Sequence, residues 1–183
     1  MVKLISIVTV IFTFLVTSEE FSVKYSENWT IQKDTLGIAY IFLHPDCPIS
    51  QKYGKTIREL NQTYSQKGIY FIGVVPDPYL EEKDVKAYAK DYKFEFPVIL
   101  DKDYSIVKKF KATVTPQIIL LDELKEIVYR GAINNWFYAL GKYRREVTEN
   151  YFSEALKAIS ESKPVVLQYT EPIGCMISVE HHN

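Results

Sequence analysis

Cys47 is the residue of this sequence best placed to carry chemistry. It follows an apolar run and directly precedes Pro48, which suits the first turn of a helix because a missing N–H costs nothing there. A thiol at a helix start faces unpaired N–H groups and the positive end of the helix dipole, which lower its pKa to about 3.5–7.5 from about 8.5. We therefore expect Cys47 to be acidic and nucleophilic. The alternative is an inert, buried cysteine on a turn.

The elements that must position Cys47 alternate along the chain. Apolar runs predict strands over residues 36–43, 69–75, 96–100, 118–121 and 127–129. Three- and four-residue spacing predicts helices from residue 48 to Gly68, from Glu81 to residue 92, over 104–110 and over 147–160. This order implies an α/β fold with a mixed, mostly parallel sheet, helices on both faces and a C-terminal antiparallel hairpin.

The first residues have the layout of a secretory signal peptide. Lys3 precedes an apolar run over residues 4–16, which is shorter than the ~20 residues that cross a bilayer. Small residues at Val16 and Ser18 predict cleavage after Ser18, leaving one domain over residues 19–183. The alternatives are an uncleaved anchor or a buried first strand. Export to a periplasmic or secreted location allows the two cysteines to form a disulfide.

Composition excludes several classes of function. The chain has 183 residues and a formal net charge of −1, and its few clustered cations lie among acidic and aromatic residues. Nucleic-acid binding is therefore not expected. No phosphate-loop pattern or other cofactor motif is present in the sequence, so no cofactor is predicted.

A second informative segment is Thr115-Pro116, immediately before an apolar strand. The order of elements and this dipeptide resemble the thioredoxin-like superfamily. The resemblance implies that the Thr115–Pro116 bond is cis, that Pro116 packs beside Cys47, and that this backbone receives a substrate chain.

The chain most resembles exported bacterial redoxin-domain proteins related to the alkyl hydroperoxide reductase and thiol-specific antioxidant family. The resemblance spans about residues 34–177. Its motifs are DCPIS (46–50), FPVILD (96–101), ATVTP (112–116), YRGAINN (129–135) and TEPIGC (170–175). It implies an oxidoreductase with antioxidant activity whose partners are protein thiols or disulfides, or small thiols.

Two departures from better-known relatives limit the activity. Ser50 stands where thioredoxins carry their second cysteine; it can donate a hydrogen bond to the Cys47 thiolate but cannot resolve a mixed disulfide. Peroxiredoxins carry a threonine and a proline where this chain has His44 and Tyr40. Peroxidase activity is thus less expected than thiol-disulfide exchange.

Cys175 is the candidate resolving thiol. It lies in a tail, from about residue 163, whose Pro164, Pro172 and Gly174 predict an extended strap over the surface. If the strap returns to Cys47, the two thiols can form a catalytic disulfide. The bond can equally be a structural staple, worth ~4 kcal/mol in an entropic model. The third alternative is that the thiols never meet.

Two further interpretations stay open. His44 and Cys47, with His181 and His182 near the C-terminus, suggest a site for a soft ion such as Cu(I), although Ser50 breaks the two-cysteine motif of thioredoxin-like copper proteins. The aromatic-rich insertion over residues 131–145 is either a lid near Cys47 or a cover for one face of the core.

Overall fold

A computed structural model describes residues 35–179 of the chain. Two predictions fall outside these residues and stay predictions. They are the signal peptide (1–18) with its cleavage site and the role of His181 and His182 in a metal site. No helix within residues 35–179 is long and apolar enough to cross a membrane.

The described residues form four α-helices, one short 3-10 helix (Ser65–Lys67) and nine strands. The helices are α1 (Pro48–Tyr64), α2 (Glu82–Asp91), α3 (Ser105–Phe110) and α4 (Tyr151–Ser160). The strands are β1 (Gly37–Phe42), β2 (Ile69–Val75), β3 (Val98–Leu100), β4 (Val114–Thr115), β5 (Gln117–Asp122), β6 (Ile127–Gly131), β7 (Phe137–Ala139), β8 (Lys142–Tyr143) and β9 (Cys175–Met176).

A five-stranded mixed sheet in the order β3-β2-β1-β5-β6 forms the centre of the fold. The strands β1, β2 and β3 run parallel, whereas β5 is antiparallel to β1 and forms a hairpin with β6. The predicted mixed sheet with its antiparallel hairpin is confirmed. The sheet contains as many antiparallel as parallel strand pairs, because β5 runs antiparallel to β1. The pattern of apolar residues in a strand does not determine the direction in which the strand runs.

Helices cover both faces of the sheet, as predicted. On one face, α1, α2 and α4 bury Ile57, Tyr88 and Phe152 against the sheet in a core that also contains Cys47. On the other face, α3 buries Val107 against the opposite side of the same strands. Cys47 therefore belongs to the larger core and not to an exposed loop.

The last helix begins later than predicted. Spacing placed its start at Val147, but α4 begins at Tyr151 and Val147 is partly exposed. The Asn135 side-chain oxygen accepts hydrogen bonds from the N–H groups of Thr148 and Glu149, at 3.1 and 3.3 Å. This long-range contact holds residues 147–150 outside the helix, which a local pattern cannot indicate.

The 131–145 insertion folds into the small hairpin β7–β8. Phe137 is buried in the main core and Trp136 packs against it, so this part of the insertion covers the core. Tyr138 and Tyr143 are more than half exposed. The interpretation of the insertion as a cover for the core is therefore correct for Trp136 and Phe137 only.

Candidate functional site

The chain turns at the end of β1 and places Cys47 at the start of α1. Cys47 is the N-cap residue of that helix and Pro48 is its first residue. The Cys47 N–H donates to the His44 carbonyl at 3.1 Å, and its carbonyl accepts the first helical bond, from Gln51, at 3.0 Å. The cysteine thus occupies the helix start that the sequence predicted, and its side chain is only 1% exposed.

Cys47 lies against the segment that ends β4. Its thiol donates to the Thr115 carbonyl oxygen over 3.1 Å. The Thr115–Pro116 peptide bond is cis, as the resemblance implies. The two segments that the sequence singled out, 68 residues apart, therefore meet at one point.

Cys175 reaches the same point from the C-terminal tail. Strand β9 pairs antiparallel with β4, so that Cys175 lies opposite Thr115. Just beyond β9, the Ile177 N–H donates to the Thr113 carbonyl at 2.9 Å. Both cysteines are free thiols in this structure.

The tail runs as an extended strap, defined here as residues 163–179. Its middle follows the edge of β6, where Arg130 N–H donates to the Gln168 carbonyl at 2.8 Å and Thr170 N–H donates to the Arg130 carbonyl at 3.0 Å. The Thr170 hydroxyl also bonds the Tyr129 hydroxyl at 2.6 Å and the Ala132 N–H at 2.9 Å. These bonds fix the strap before it reaches Cys47.

Two glycines allow the strap to approach this closely. A Cβ at Gly174 would lie 2.2 Å from the Thr115 carbonyl oxygen. Gly131 has a φ of +149°, which favours glycine, and a Cβ there would lie 2.2 Å from the Thr170 hydroxyl. Glycine at both positions is therefore a condition for bringing Cys175 beside Cys47.

We expect Gly174→Ala to push the strap away from Thr115. Overpacking of this kind costs about 1–3 kcal/mol, and here it should also separate the two thiols. The measurement is urea unfolding together with the rate at which the reduced protein forms an intramolecular disulfide in air-saturated buffer. Val166→Ala is the matched control, since Val166 lies in the same strap and is 96% exposed. Equal disulfide rates in the two variants would contradict this account of Gly174.

The two thiols have opposite pKa shifts. Burial raises the pKa of Cys47, but hydrogen bonds from Cys175 and Ser50 outweigh burial and hold the pKa below its ordinary value. Burial, the hydrogen bond to Cys47 and the charge of Cys47 raise the pKa of Cys175 to about 12. Cys47 is therefore the more acidic thiol of the pair, and Cys175 keeps its proton to higher pH.

Ser50 is wholly buried beneath the Cys47 sulfur. Its backbone N–H and its hydroxyl both donate to that sulfur and lower the pKa of Cys47. The Ser50 hydroxyl oxygen accepts the His44 N–H at 3.3 Å. Since that bond uses an acceptor lone pair, the hydroxyl proton is left to point at Cys47.

His44 is held by both of its ring nitrogens. Its Nδ1 accepts the Asp46 N–H at 3.2 Å, and its Nε2 lies 2.9 Å from the Asp77 carboxylate. Burial raises the pKa of Asp77. Hydrogen bonds from His44 and from the N–H groups of Tyr79 and Leu80 outweigh burial and hold that pKa below its ordinary value. The ring therefore has no free nitrogen for a metal.

Metal-binding side chains do not cluster in the described part of the chain. Within residues 35–179 no three histidine, cysteine or acidic side chains could hold an ion together. His44 and Cys47 lie near each other, but the other two histidines fall outside those residues. Nothing in the site thus favours the Cu(I) interpretation.

A groove of about 590 Å³ opens onto the two sulfurs. Its floor includes Cys47, Thr115 and Cys175. Its walls come from the turns after β1 and β2, from the start of α3 and from the end of the strap. The wall residues with charged or aromatic side chains are His44, Asp46, Asp77, Tyr79, Lys102, Asp103, Tyr104 and Lys108.

Sequence reasoning missed Asp77 as a site residue. It stands between Pro76 and Pro78 directly after β2, and the two prolines predict only the end of the strand over residues 69–75. The parallel strands β1 and β2 end at the same edge of the sheet, which brings Asp77 to the turn that carries His44. The sequence did offer a signal for Asp77: it is a polar residue that follows β2, the strand next to β1, and β1 leads to Cys47.

Comparison with solved structures shows the thioredoxin-like fold. A hypothetical protein from Sinorhizobium meliloti matches with a TM-score of 0.72 and 24% identity, over 81% of this chain and 82% of that one. An uncharacterized conserved protein from Geobacillus kaustophilus matches with a TM-score of 0.71 and 22% identity, over 82% and 81%. A putative thiol:disulfide interchange protein, DsbE, from Chlorobium tepidum matches with a TM-score of 0.52 and 15% identity, over 71% and 81%.

Comparison of sequences identifies the family. No curated protein matches the chain. The AhpC/TSA family matches residues 17–130, more than half of the chain and including β1, Cys47 and Thr115–Pro116. Membership of this redoxin family supports a redox function for the chain. The chain belongs to the AhpC/TSA family, within the thioredoxin-like superfamily.

Proposed function

We propose that this chain is an exported thiol-disulfide oxidoreductase in which Cys47 attacks and Cys175 resolves. One observation carries the proposal: Cys175 lies opposite Thr115 in the β4–β9 pair, and the Thr115 carbonyl accepts from the Cys47 thiol, so the two cysteines meet at one residue. Their pKa values are shifted in opposite directions. A lowered pKa makes Cys47 the nucleophile at neutral pH. Cys175 beside it supplies the second thiol that Ser50 cannot supply.

The reaction proceeds in two exchanges. The Cys47 thiolate attacks one sulfur of a substrate disulfide, forming a mixed disulfide and releasing the other substrate sulfur as a thiolate, which takes up a proton. Cys175 then loses its proton and attacks the Cys47 sulfur, releasing the second substrate thiol. Two electrons pass from the two cysteines to the substrate, and a Cys47–Cys175 disulfide remains.

The order of the steps follows from the charge of Cys47. While Cys47 is a thiolate, its negative charge and its hydrogen bond keep the Cys175 proton in place. Once the Cys47 sulfur is bonded to substrate, that charge is gone and the pKa of Cys175 falls. The resolving thiol therefore becomes more nucleophilic after the first exchange than before it.

A structural disulfide is the competing function, since the same approach of Cys175 would also staple the strap. The two functions differ in whether the bond is reduced and formed readily while the fold persists. Export and cleavage after Ser18 belong to the proposal because an oxidising compartment is where either bond would form.

The test combines disulfide mapping with alkylation. In the mature protein, mass spectrometry should find a Cys47–Cys175 disulfide that dithiothreitol reduces without unfolding the chain. After reduction, iodoacetamide should label Cys47 with a midpoint below pH 8, because only the thiolate reacts. In Ser50→Ala the midpoint should move to higher pH, since the sulfur loses a donor.

Thr63→Ala is the matched control for Ser50→Ala. Thr63 lies near the other end of α1, is exposed, and its hydroxyl donates only to the Glu59 carbonyl at 2.8 Å. Its alkylation midpoint should equal that of the unmodified protein. A bond that resists reduction in the folded protein, or a Cys47 that alkylates no faster than a free cysteine, would leave only the structural staple.

A further inference from the structure

The strap occupies the strand edge where an extended polypeptide would have to pair beside Cys47. β9 places Cys175 opposite Thr115 and Met176 opposite Val114, and the Ile177 N–H already bonds the Thr113 carbonyl. Backbone groups that pair with one strand are not open to a second on the same side. A polypeptide can add to this edge of β4 only if the strap leaves.

Displacing the strap would also dismantle the site. Pro172 and Gly174 are buried and Ile173 packs against the core, so the strap is fixed directly before Cys175. The hydrogen bonds of Thr170 hold it further back. A polypeptide that lifted β9 would carry away Cys175, the thiol that must resolve its own mixed disulfide.

The groove is the remaining approach to Cys47. The Cys47 side chain is almost fully buried, yet it lines this groove together with Cys175. A volume of about 590 Å³ lies within the range of small-molecule sites, about 300–1,000 Å³. The fold therefore leaves room for a small molecule at the sulfur with the strap in place.

The groove wall carries unused charges of both signs. The Asp77 carboxylate is already bonded to His44 and to two N–H groups, and Lys108 donates to the Asp103 carbonyl. In contrast, the Asp46 carboxylate and the Lys102 ammonium have no hydrogen bond or ion pair within residues 35–179. Both line the groove, Asp46 from the turn after β1 and Lys102 from the segment after β3.

We propose that the disulfide that reacts with Cys47 is a small molecule carrying both carboxylate and ammonium groups, of the class of amino-acid or short-peptide disulfides. This inference rests on the proposed function. A ligand carboxylate pairs with Lys102 and a ligand ammonium with Asp46 while its sulfur meets Cys47. The two exchanges then release two small thiols and leave the Cys47–Cys175 disulfide.

The test compares three disulfides against the reduced full-length mature protein in single turnover, at pH 7 and low salt. Glutathione disulfide carries both charges, 2-hydroxyethyl disulfide carries none, and insulin presents a polypeptide disulfide. Each rate is divided by the rate of dithiothreitol with the same disulfide, which removes differences in intrinsic reactivity. We expect glutathione disulfide to exceed 2-hydroxyethyl disulfide by about threefold to tenfold, the size of two exposed ion pairs, and insulin to be the slowest.

Lys102→Gln should bring the ratio of glutathione disulfide to 2-hydroxyethyl disulfide towards one, and 0.5 M salt should do the same. Lys157→Gln is the control, because Lys157 is an exposed lysine on α4. Its ratio should match that of the unmodified protein.

The outcomes distinguish a failure of this inference from a failure of the proposed thiol-disulfide exchange. If none of the three disulfides oxidises the protein faster than it oxidises dithiothreitol, the proposed function fails. If insulin reacts fastest, or if the two small disulfides react equally and Lys102→Gln changes neither, the exchange stands and the inference is overturned.

Discussion

Cys47→Ser should lower the single-turnover rate with 2-hydroxyethyl disulfide by more than about 10³-fold at pH 7, because a hydroxyl is a far weaker nucleophile than a thiolate. Cys175 should not match the rate of Cys47, since burial, the largest cause of its raised pKa, remains when Cys47 is replaced. The serine hydroxyl can still donate to the Thr115 carbonyl, so the fold should persist. The rate of loss of free thiol, followed with Ellman's reagent, measures the effect.

Thr63→Ala again serves as control and should react at the rate of the unmodified protein. Thermal unfolding of both variants should show that neither has lost the fold. Retention of a tenth or more of the rate by Cys47→Ser would assign the attack to Cys175, which is the more exposed of the two thiols.

The placement of Cys47 could be predicted because it depends on local patterns. A buried strand, a turn and a proline at the first helical position lie within a dozen residues, and together they define a helix start. The strands β2 and β5 and the helix α2 were likewise found where runs and spacing placed them, because both strands are buried on both faces of the sheet and α2 buries one apolar face. Local pattern and tertiary burial agree for these elements.

The contacts across the site could not be predicted in the same way. The sequence indicated an extended strap, but its return to β4 depends on bonds to Tyr129, Arg130 and Ala132, which lie about 40 residues away. The partnership of His44 with Asp77 depends on the order of strands in the sheet. Both are consequences of how the chain folds over long distances in sequence. The predicted start of α4 was wrong for the same reason, since a contact with the distant Asn135 determines it.

The role of Gly174 could not be predicted from the sequence. In the sequence it contributes only to the prediction of an extended strap, whereas in the structure it is the point at which the strap touches the Thr115 carbonyl. Only glycine permits that approach. The residue matters because it brings two backbones together, and no pattern within residues 163–179 indicates the second one.

Replacing Cys175 should separate its two roles. In both Cys175→Ser and Cys175→Ala the mixed disulfide between Cys47 and half of 2-hydroxyethyl disulfide should accumulate, because no thiol remains to resolve it. In the unmodified protein the same adduct should be transient. Mass spectrometry of acid-quenched samples measures it, and a failure of the adduct to accumulate in either variant would show that Cys175 does not resolve.

The two variants should differ in the acidity of Cys47. Alanine removes the donor to the Cys47 thiolate, so the pKa of Cys47 should rise and its alkylation midpoint should shift upward by about one pH unit. Serine keeps an O–H donor, so its midpoint should fall between those of the unmodified protein and Cys175→Ala. Because alkylation requires the thiolate, a higher pKa means slower labelling at pH 7. Unchanged midpoints in both variants would show that Cys175 resolves without tuning Cys47, and the acidity would then rest on Ser50 and the start of α1.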